Sequence, residues 1–180
     1  MRKVVAYMLV SVDGVAEDPD QFVLDFDAVM LANLTEVIGR QDAVLLGRRM
    51  CDEWSRYWPN ATDQPFADFI NSVDKYVATS TPLDSDWANA ARIPGPLVDF
   101  VRELQAGDGG DIGVHGSIEL TRSLLAADLV DELQLVVSPR VVGSGRRLFA
   151  DGVAHGLELL SSASSPTGSL MVHYRVVRDH

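Results

Sequence analysis

Apolar, β-rich runs alternate with amphipathic stretches along almost the whole chain, and this alternation limits the fold more than any other feature. The run VVAYMLVSV (Val4–Val12) is nearly continuously apolar, as in a strand buried on both faces. Over Asp25–Arg40 the period changes. Phe26, Val29, Met30, Leu34, Val37 and Ile38 recur at three- and four-residue spacing, with Gly39 near the stop. That predicts a helix with Asp25 as its N-cap and Asp27 in its first turn. AVLL (Ala43–Leu46) predicts a short buried strand. MCDEWSRYW predicts a helix stopped by Pro59, and FADFINSV, after Pro65, a second short one. KYVAT (Lys75–Thr79) reads as a strand followed by the polar turn STPLDSD. PLVDFVRELQA (Pro96–Ala106) is a helix opening on proline, DIGV a strand, SIELTRSLLAA a helix with Ser117 as N-cap, and DELQLVVSP a strand. The tail, GLELLSS and LMVHYRVV around ASSPTGS, follows the two-residue period of a hairpin.

The order β-α-β-α-β-α-β-α-β plus a hairpin predicts an α/β fold: a mostly parallel sheet with helices on both faces and antiparallel C-terminal strands. At 180 residues, 47% of them hydrophobic, one domain over 1–180 suffices and has enough apolar side chain for a core. No repeat, low-complexity tract or long linker divides it.

Charge and cysteine usage exclude several functions. Lys+Arg number 15 against 26 Asp+Glu, a net charge of -11, so bulk electrostatics will not carry the chain along a nucleic acid, while a local basic site for a small anionic ligand stays open. The single Cys51 cannot form an internal disulfide or a cysteine-based metal site, and it fits a reducing cytoplasm. It reads as a small, half-buried apolar residue. His155 and His173 have no metal-spaced partner, and the terminal His180 is expected to be exposed; no metal site is expected. The N-terminus lacks a cleavage-site pattern, and no apolar run approaches the ~20 residues of a membrane helix.

Ligands of open α/β sheets bind beyond the carboxyl ends of the strands, and three of those ends carry suggestive chemistry. In LLGRRM, Gly47 lets the backbone turn closely, and Arg48 and Arg49 open a helix whose free amides already favour an anion. The arginines read equally as a solvated pair. In ATSTP, Thr79, Ser80 and Thr81 either donate to a phosphate or cap a turn. In GVHGSIELTRSLL (Gly113–Leu125), little side chain stands where strand passes to helix. Gly113, Gly116 and Ser117 there permit close approach of an anion such as a pyrophosphate. The G-x-G-x-x-G spacing is absent. His115 by itself reads as a packed or hydrogen-bonded residue.

Together these pieces resemble the dihydrofolate reductase superfamily, in the branch with the reductase domain of bifunctional riboflavin-biosynthesis proteins. SVDG (Ser11–Gly14), LLGRRM (Leu45–Met50), ATSTP (Ala78–Pro82), VHGSIELTRSLL (Val114–Leu125) and DELQLVVSPRVVGSGRRLF (Asp131–Phe149) occur in that family's order. The resemblance implies a three-layer α/β/α fold, NADPH binding and homodimers. It also implies hydride transfer to a small-molecule substrate: a pterin-like or pyrimidine heterocycle, or a conjugated carbonyl. It places Arg48, Arg49, Thr79 and Ser80 near the adenosine 2′-phosphate, and Gly116, Ser117, Ile118 and Glu119 under the pyrophosphate and nicotinamide. Two positions depart from the pattern. His115 stands where the family often has a glycine, either narrowing the cleft or donating to a phosphate. Met50 stands where a threonine often follows.

For a catalytic carboxylate the candidates are Asp13, beside the expected nicotinamide, and Asp27, on the first helix. Each also has a structural reading, as a turn former and as a helix-terminus charge. AEDPDQFVLDF lacks the tryptophan-proline signature of true dihydrofolate reductases, which argues against folate. Arg146 and Arg147 cover substrate, support a dimer, or form a solvated loop. Trp54, Tyr57 and Trp58 read as helix packing. A non-catalytic NADP(H)-binding sensor or scaffold is the alternative to an enzyme. An α/β hydrolase or P-loop protein is disfavoured, since neither motif is present.

Overall fold

A computed structural model of the protein describes residues 1–149 and 154–177; the expectation for His180 falls outside them. The apolar runs form β1 (Val4–Ser11), β2 (Gln41–Gly47), β3 (Asp74–Ala78), β5 (Asp111–His115) and β6 (Glu132–Ser138). A three-residue strand, β4 (Ala90–Arg92), was not evident from the sequence. It lies at the sheet edge with its residues half-buried or exposed, too short to show a period. The tail forms β7 (Gly156–Ser164) and β8 (Leu170–Val177). The strand order is β4-β3-β2-β5-β1-β6-β8-β7. Every pair through β6 is parallel, and β8 and β7 add antiparallel to that edge.

The helices are α1 (Ala28–Ile38), α2 (Arg48–Tyr57), α3 (Phe66–Ser72), α4 (Leu97–Ala106) and α5 (Ile118–Ala126). A turn of 3-10 helix over Trp58–Asn60 absorbs Pro59 after α2. Met30, Leu34, Val37, Cys51, Phe66 and Ile70, from α1 to α3, pack on the Tyr7, Val44, Leu46 and Val77 face of the sheet. Val101, Leu120 and Leu124, from α4 and α5, pack on the Ala6, Met8, Leu45 and Val114 face. Strand alternation therefore supplies two cores and three α/β/α layers. Cys51 is fully buried rather than half-buried, and burial pushes its thiol pKa up.

Helix α1 starts at Ala28, not Asp25. Asp27 is its N-cap and accepts from the amides of Val29 and Met30, both at 3.0 Å. An aspartate one position before the first helical residue reaches those amides, and one three positions before it does not.

Candidate active site

Parallel pairing brings the carboxyl ends of β1, β2, β3, β5 and β6 to one edge of the sheet. Two helices begin there next to each other. Gly47 is the N-cap of α2 and Ser117 the N-cap of α5, and neither caps its own helix with a side chain. Instead the Gly47 amide donates to Ser117 Oγ at 3.0 Å. Ser117 thus holds the expected cap position, but its hydroxyl joins two helix starts. The first-turn amides of α5 are left without that side-chain acceptor, the arrangement that favours an anion.

Gly116 has φ +68°, and a Cβ there would lie 2.8 Å from Met50 Cε and 3.5 Å from the Trp54 ring. The loop accordingly needs glycine both for its backbone conformation and for the methionine packed on it. Gly113 answers to a different neighbour. A Cβ on it would meet the Gln41 carboxamide oxygen at 2.1 Å and His115 Nε2 at 2.9 Å, because Gln41 Oε1 crosses β5 to His115 Nε2 at 2.7 Å.

His115 is the clearest departure from the ligand-facing expectation. It is 3% exposed and lies in the core beneath α3. Its ring contacts Tyr7, Phe66 and Phe69 with centroids 5.4–6.0 Å apart. Burial lowers its pKa to about 3, so it is neutral at physiological pH, and its ring neither narrows the cleft nor donates to a phosphate. Alternation along β5 is the reason: Ile112 and Val114 face one core, so Gly113 and His115 face the other. The Ile118 side chain is likewise in the core, leaving only its backbone to meet a ligand. Glu119 stays at the surface, 2.9 Å from Arg122 Nη1 and 4.0 Å from Arg146 Nη1.

Arg48 is closely held. Its Nε donates to both oxygens of Asp52, at 2.9 and 2.8 Å, and its Nη1 to Thr81 Oγ1 at 2.6 Å and to the Pro82 carbonyl at 2.8 Å. Its Nη2 donates to Asp84. Arg49 is more open, with Nε on Glu53 at 2.9 Å and Nη1 3.5 Å from Glu17. Thr79 Oγ1 accepts from the Thr81 amide at 3.2 Å, and the Ser80 carbonyl accepts from Arg92 at 3.3 Å. Both belong to the loop that holds Arg48.

Asp13 lies at the same edge as a loop anchor. Its carboxylate accepts from the amides of Val142, at 3.0 Å, and Gly143, at 2.8 Å, and from the Ser11 hydroxyl at 2.7 Å. These bonds, the Val142 amide foremost, hold its pKa well below the usual carboxylate range. Asp27 is kept ionised in the same way, its pKa lowered to about 2 chiefly by the Met30 amide. Its other oxygen accepts from Thr167 Oγ1 at 2.7 Å. Neither carboxyl carries a proton to donate at neutral pH.

Arg146 and Arg147 tie the β6–β7 loop to the β1–α1 loop. Arg146 donates through Nε to Glu17 Oε1 at 2.8 Å, and Arg147 Nε donates to the Asp13 carbonyl at 2.9 Å. A bridge between Val15 and Arg147 runs alongside. Trp54 and Trp58 pack edge-on against each other and Phe66, as helix packing requires. Sequence reasoning missed Glu17, which joins Arg49 to Arg146. It also missed Gln41, whose polar side chain at the head of an apolar strand was the available signal. Among the described residues no group of three His, Cys, Asp or Glu is placed to hold a metal, and no helix is long and apolar enough to cross a membrane.

Solved structures share this fold. A protein from Shewanella sp. PV-4 described as a "putative riboflavin biosynthesis protein" superposes with a TM-score of 0.76 at 18% identity, covering 98% of this chain and 99% of that one. A pyrimidine reductase-like protein of Corynebacterium diphtheriae gives 0.74 at 16%, covering 99% and 93%. Among sequences, the uncharacterized YyaP of Bacillus subtilis is 26% identical over 96% of this chain and 94% of its own. At these identities the structures establish the fold, and the family rests on the sequence itself. The RibD C-terminal domain pattern matches residues 2–171, so the chain belongs to the RibD C-terminal domain family.

Proposed function

We propose that the protein is a reductase using NADPH, with a small heterocyclic (pterin- or pyrimidine-like) or conjugated carbonyl substrate. The observation that carries this reading is the pair of bonded helix starts, Gly47 and Ser117, at the carboxyl edge of the sheet. Amides at the start of α5 suit a pyrophosphate, and Arg48 and Arg49 on α2 supply cationic forks for the adenosine side. The cofactor, when bound, supplies the hydride. The chain's part is to bind, orient and exclude water. Asp13 holds the β6–β7 loop against β1 as an ionised acceptor, while Gly116 keeps the cleft floor at backbone level. The solvent side of the cleft is then walled by the joined loops of Asp13 and Arg146.

A second reading, a cofactor binder without turnover, is favoured by one observation: both candidate carboxylates are fully engaged and ionised. A homodimer belongs to either reading. All nine residues of β7 are exposed, and with β8 they border an open hollow of about 530 Å³ lined by Leu159, Leu170, Val172 and Tyr174. Such an uncovered sheet face, with Leu159, Leu170 and Val172 among Ser162 and Ser164, suits a second copy.

The test is titration of the folded protein with NADPH and NADH, followed by tryptophan fluorescence, since Trp54 lies against the Gly116 loop. Saturable quenching supports the cofactor reading; none with either dinucleotide overturns it. Oxidation of the bound cofactor by pterins, flavin precursors or small carbonyls then separates the enzyme from the binder.

A further inference from the structure

Arg48 lies where the cofactor's 2′-phosphate is expected, yet each nitrogen of its guanidinium already has an acceptor on this chain. The two carboxylates holding it differ in kind. Asp52 lies one turn along the same helix with its side chain 34% exposed. Asp84 comes from the β3–β4 loop, and its side chain is 83% exposed. Helix geometry keeps Asp52 near Arg48 whatever binds, whereas Asp84 reaches in from solvent and can be displaced into it. An exposed ion pair of this sort contributes little to stability, so exchange for another anion is inexpensive. The surrounding charge opposes a phosphate as well, because Arg49 is flanked by Glu17 and Glu53.

We infer that Asp84 occupies the place of the cofactor's 2′-phosphate on Arg48 and thereby reduces this protein's preference for NADPH over NADH. This rests on the cofactor reading above. The displacing ligand must carry a dianionic group at the ribose 2′ position. A 2′-hydroxyl leaves Asp84 in place, so NADH binds without that competition. Removing the Asp84 charge therefore tightens NADPH binding and leaves NADH nearly unaffected.

The experiment titrates the full chain and its Asp84→Asn variant with NADPH, NADH and adenosine 2′,5′-bisphosphate, read as Kd by fluorescence or heat. Thermal melts confirm that both proteins are folded. The expected result is a Kd for NADPH and for the bisphosphate lowered about fivefold, the upper range for an exposed ion pair, with NADH unchanged. In an Arg48→Ala background the same substitution should have no such effect. An unchanged NADPH-to-NADH ratio, an equal gain for both, or a gain that persists without Arg48 overturns the role of Asp84 alone. Failure of the folded wild-type chain to bind either dinucleotide overturns the cofactor reading and this inference with it.

Discussion

The Gly47 amide donates to Ser117 Oγ across 3.0 Å and seventy residues of sequence, so the starts of α2 and α5 are fixed to each other rather than capped separately. Ser117→Ala removes the acceptor and leaves a partly buried amide unpaired. The expected cost is about 1 kcal/mol, measured by urea denaturation, with weaker dinucleotide binding in fluorescence titration. An unchanged midpoint would show that water replaces the hydroxyl there.

Gly113→Ala puts a methyl group into the Gln41–His115 contact and should cost about 1–3 kcal/mol as overpacking. Pairing it with Gln41→Ala removes the obstructing carboxamide. In a double-mutant cycle the combined loss should fall short of the sum by about 1 kcal/mol. Simple additivity would place the strain elsewhere.

His115 gives the fold an acid sensitivity. Its pKa is about 3 in the folded protein against an ordinary 6.5, so below pH 6.5 the unfolded chain binds a proton that the folded one refuses. Stability is lost as pH falls from about 6.5 toward about 3, at about 1.4 kcal/mol per unit. Denaturant unfolding at several pH values across that window should show a shallower acid slope in His115→Phe than in the wild type. Parallel slopes would assign the acid limb to other groups.

Asp13→Ala releases the amides of Val142 and Gly143. Hydrogen exchange at those two positions should rise while exchange in β1 stays slow. If the protein turns over, KM should rise more than kcat falls, because Asp13 shapes the cleft wall and carries no proton to give. A large fall in kcat with KM unchanged would make it part of the chemical step.

Leu159→Arg, on the uncovered face of the hairpin, should convert a dimer to a monomer in sedimentation at micromolar concentration without lowering the melting temperature of the monomer. A wild-type monomer would remove the hairpin face as the contact.

Much of this architecture was legible because helices and strands announce themselves through period. Val4–Val12, Ala43–Leu46 and the amphipathic stretch through Met30, Leu34 and Val37 each carried their own evidence. Element ends were harder: Asp25 and Asp27 are equally good caps in sequence, and only the first helical turn decides between them. The site was partly legible. The three strand ends share one edge because parallel strands must, and the glycine at position 116 answers to the methionine packed on it. The partners of those residues were not legible. Nothing near Arg48 in sequence points to Asp84, nor anything near Arg146 to Glu17, since loop geometry makes those pairs. His115 is packed and hydrogen-bonded, as its residue type alone suggested; the ligand-facing alternative failed because its glycine neighbours conceal the alternation that turns its ring inward.

The β1–α1 and β6–β7 loops are joined through backbone bonds from Val12 to Arg140, Ala16 to Arg146 and Leu148 to Gly14, besides the Asp13 and Glu17 carboxylates. Two segments more than a hundred residues apart therefore behave as one body on that side of the cleft. A displacement of either segment carries the other with it. A substitution in the β1–α1 loop and one near Arg146 should therefore disturb the same hydrogen-bonded pair of segments.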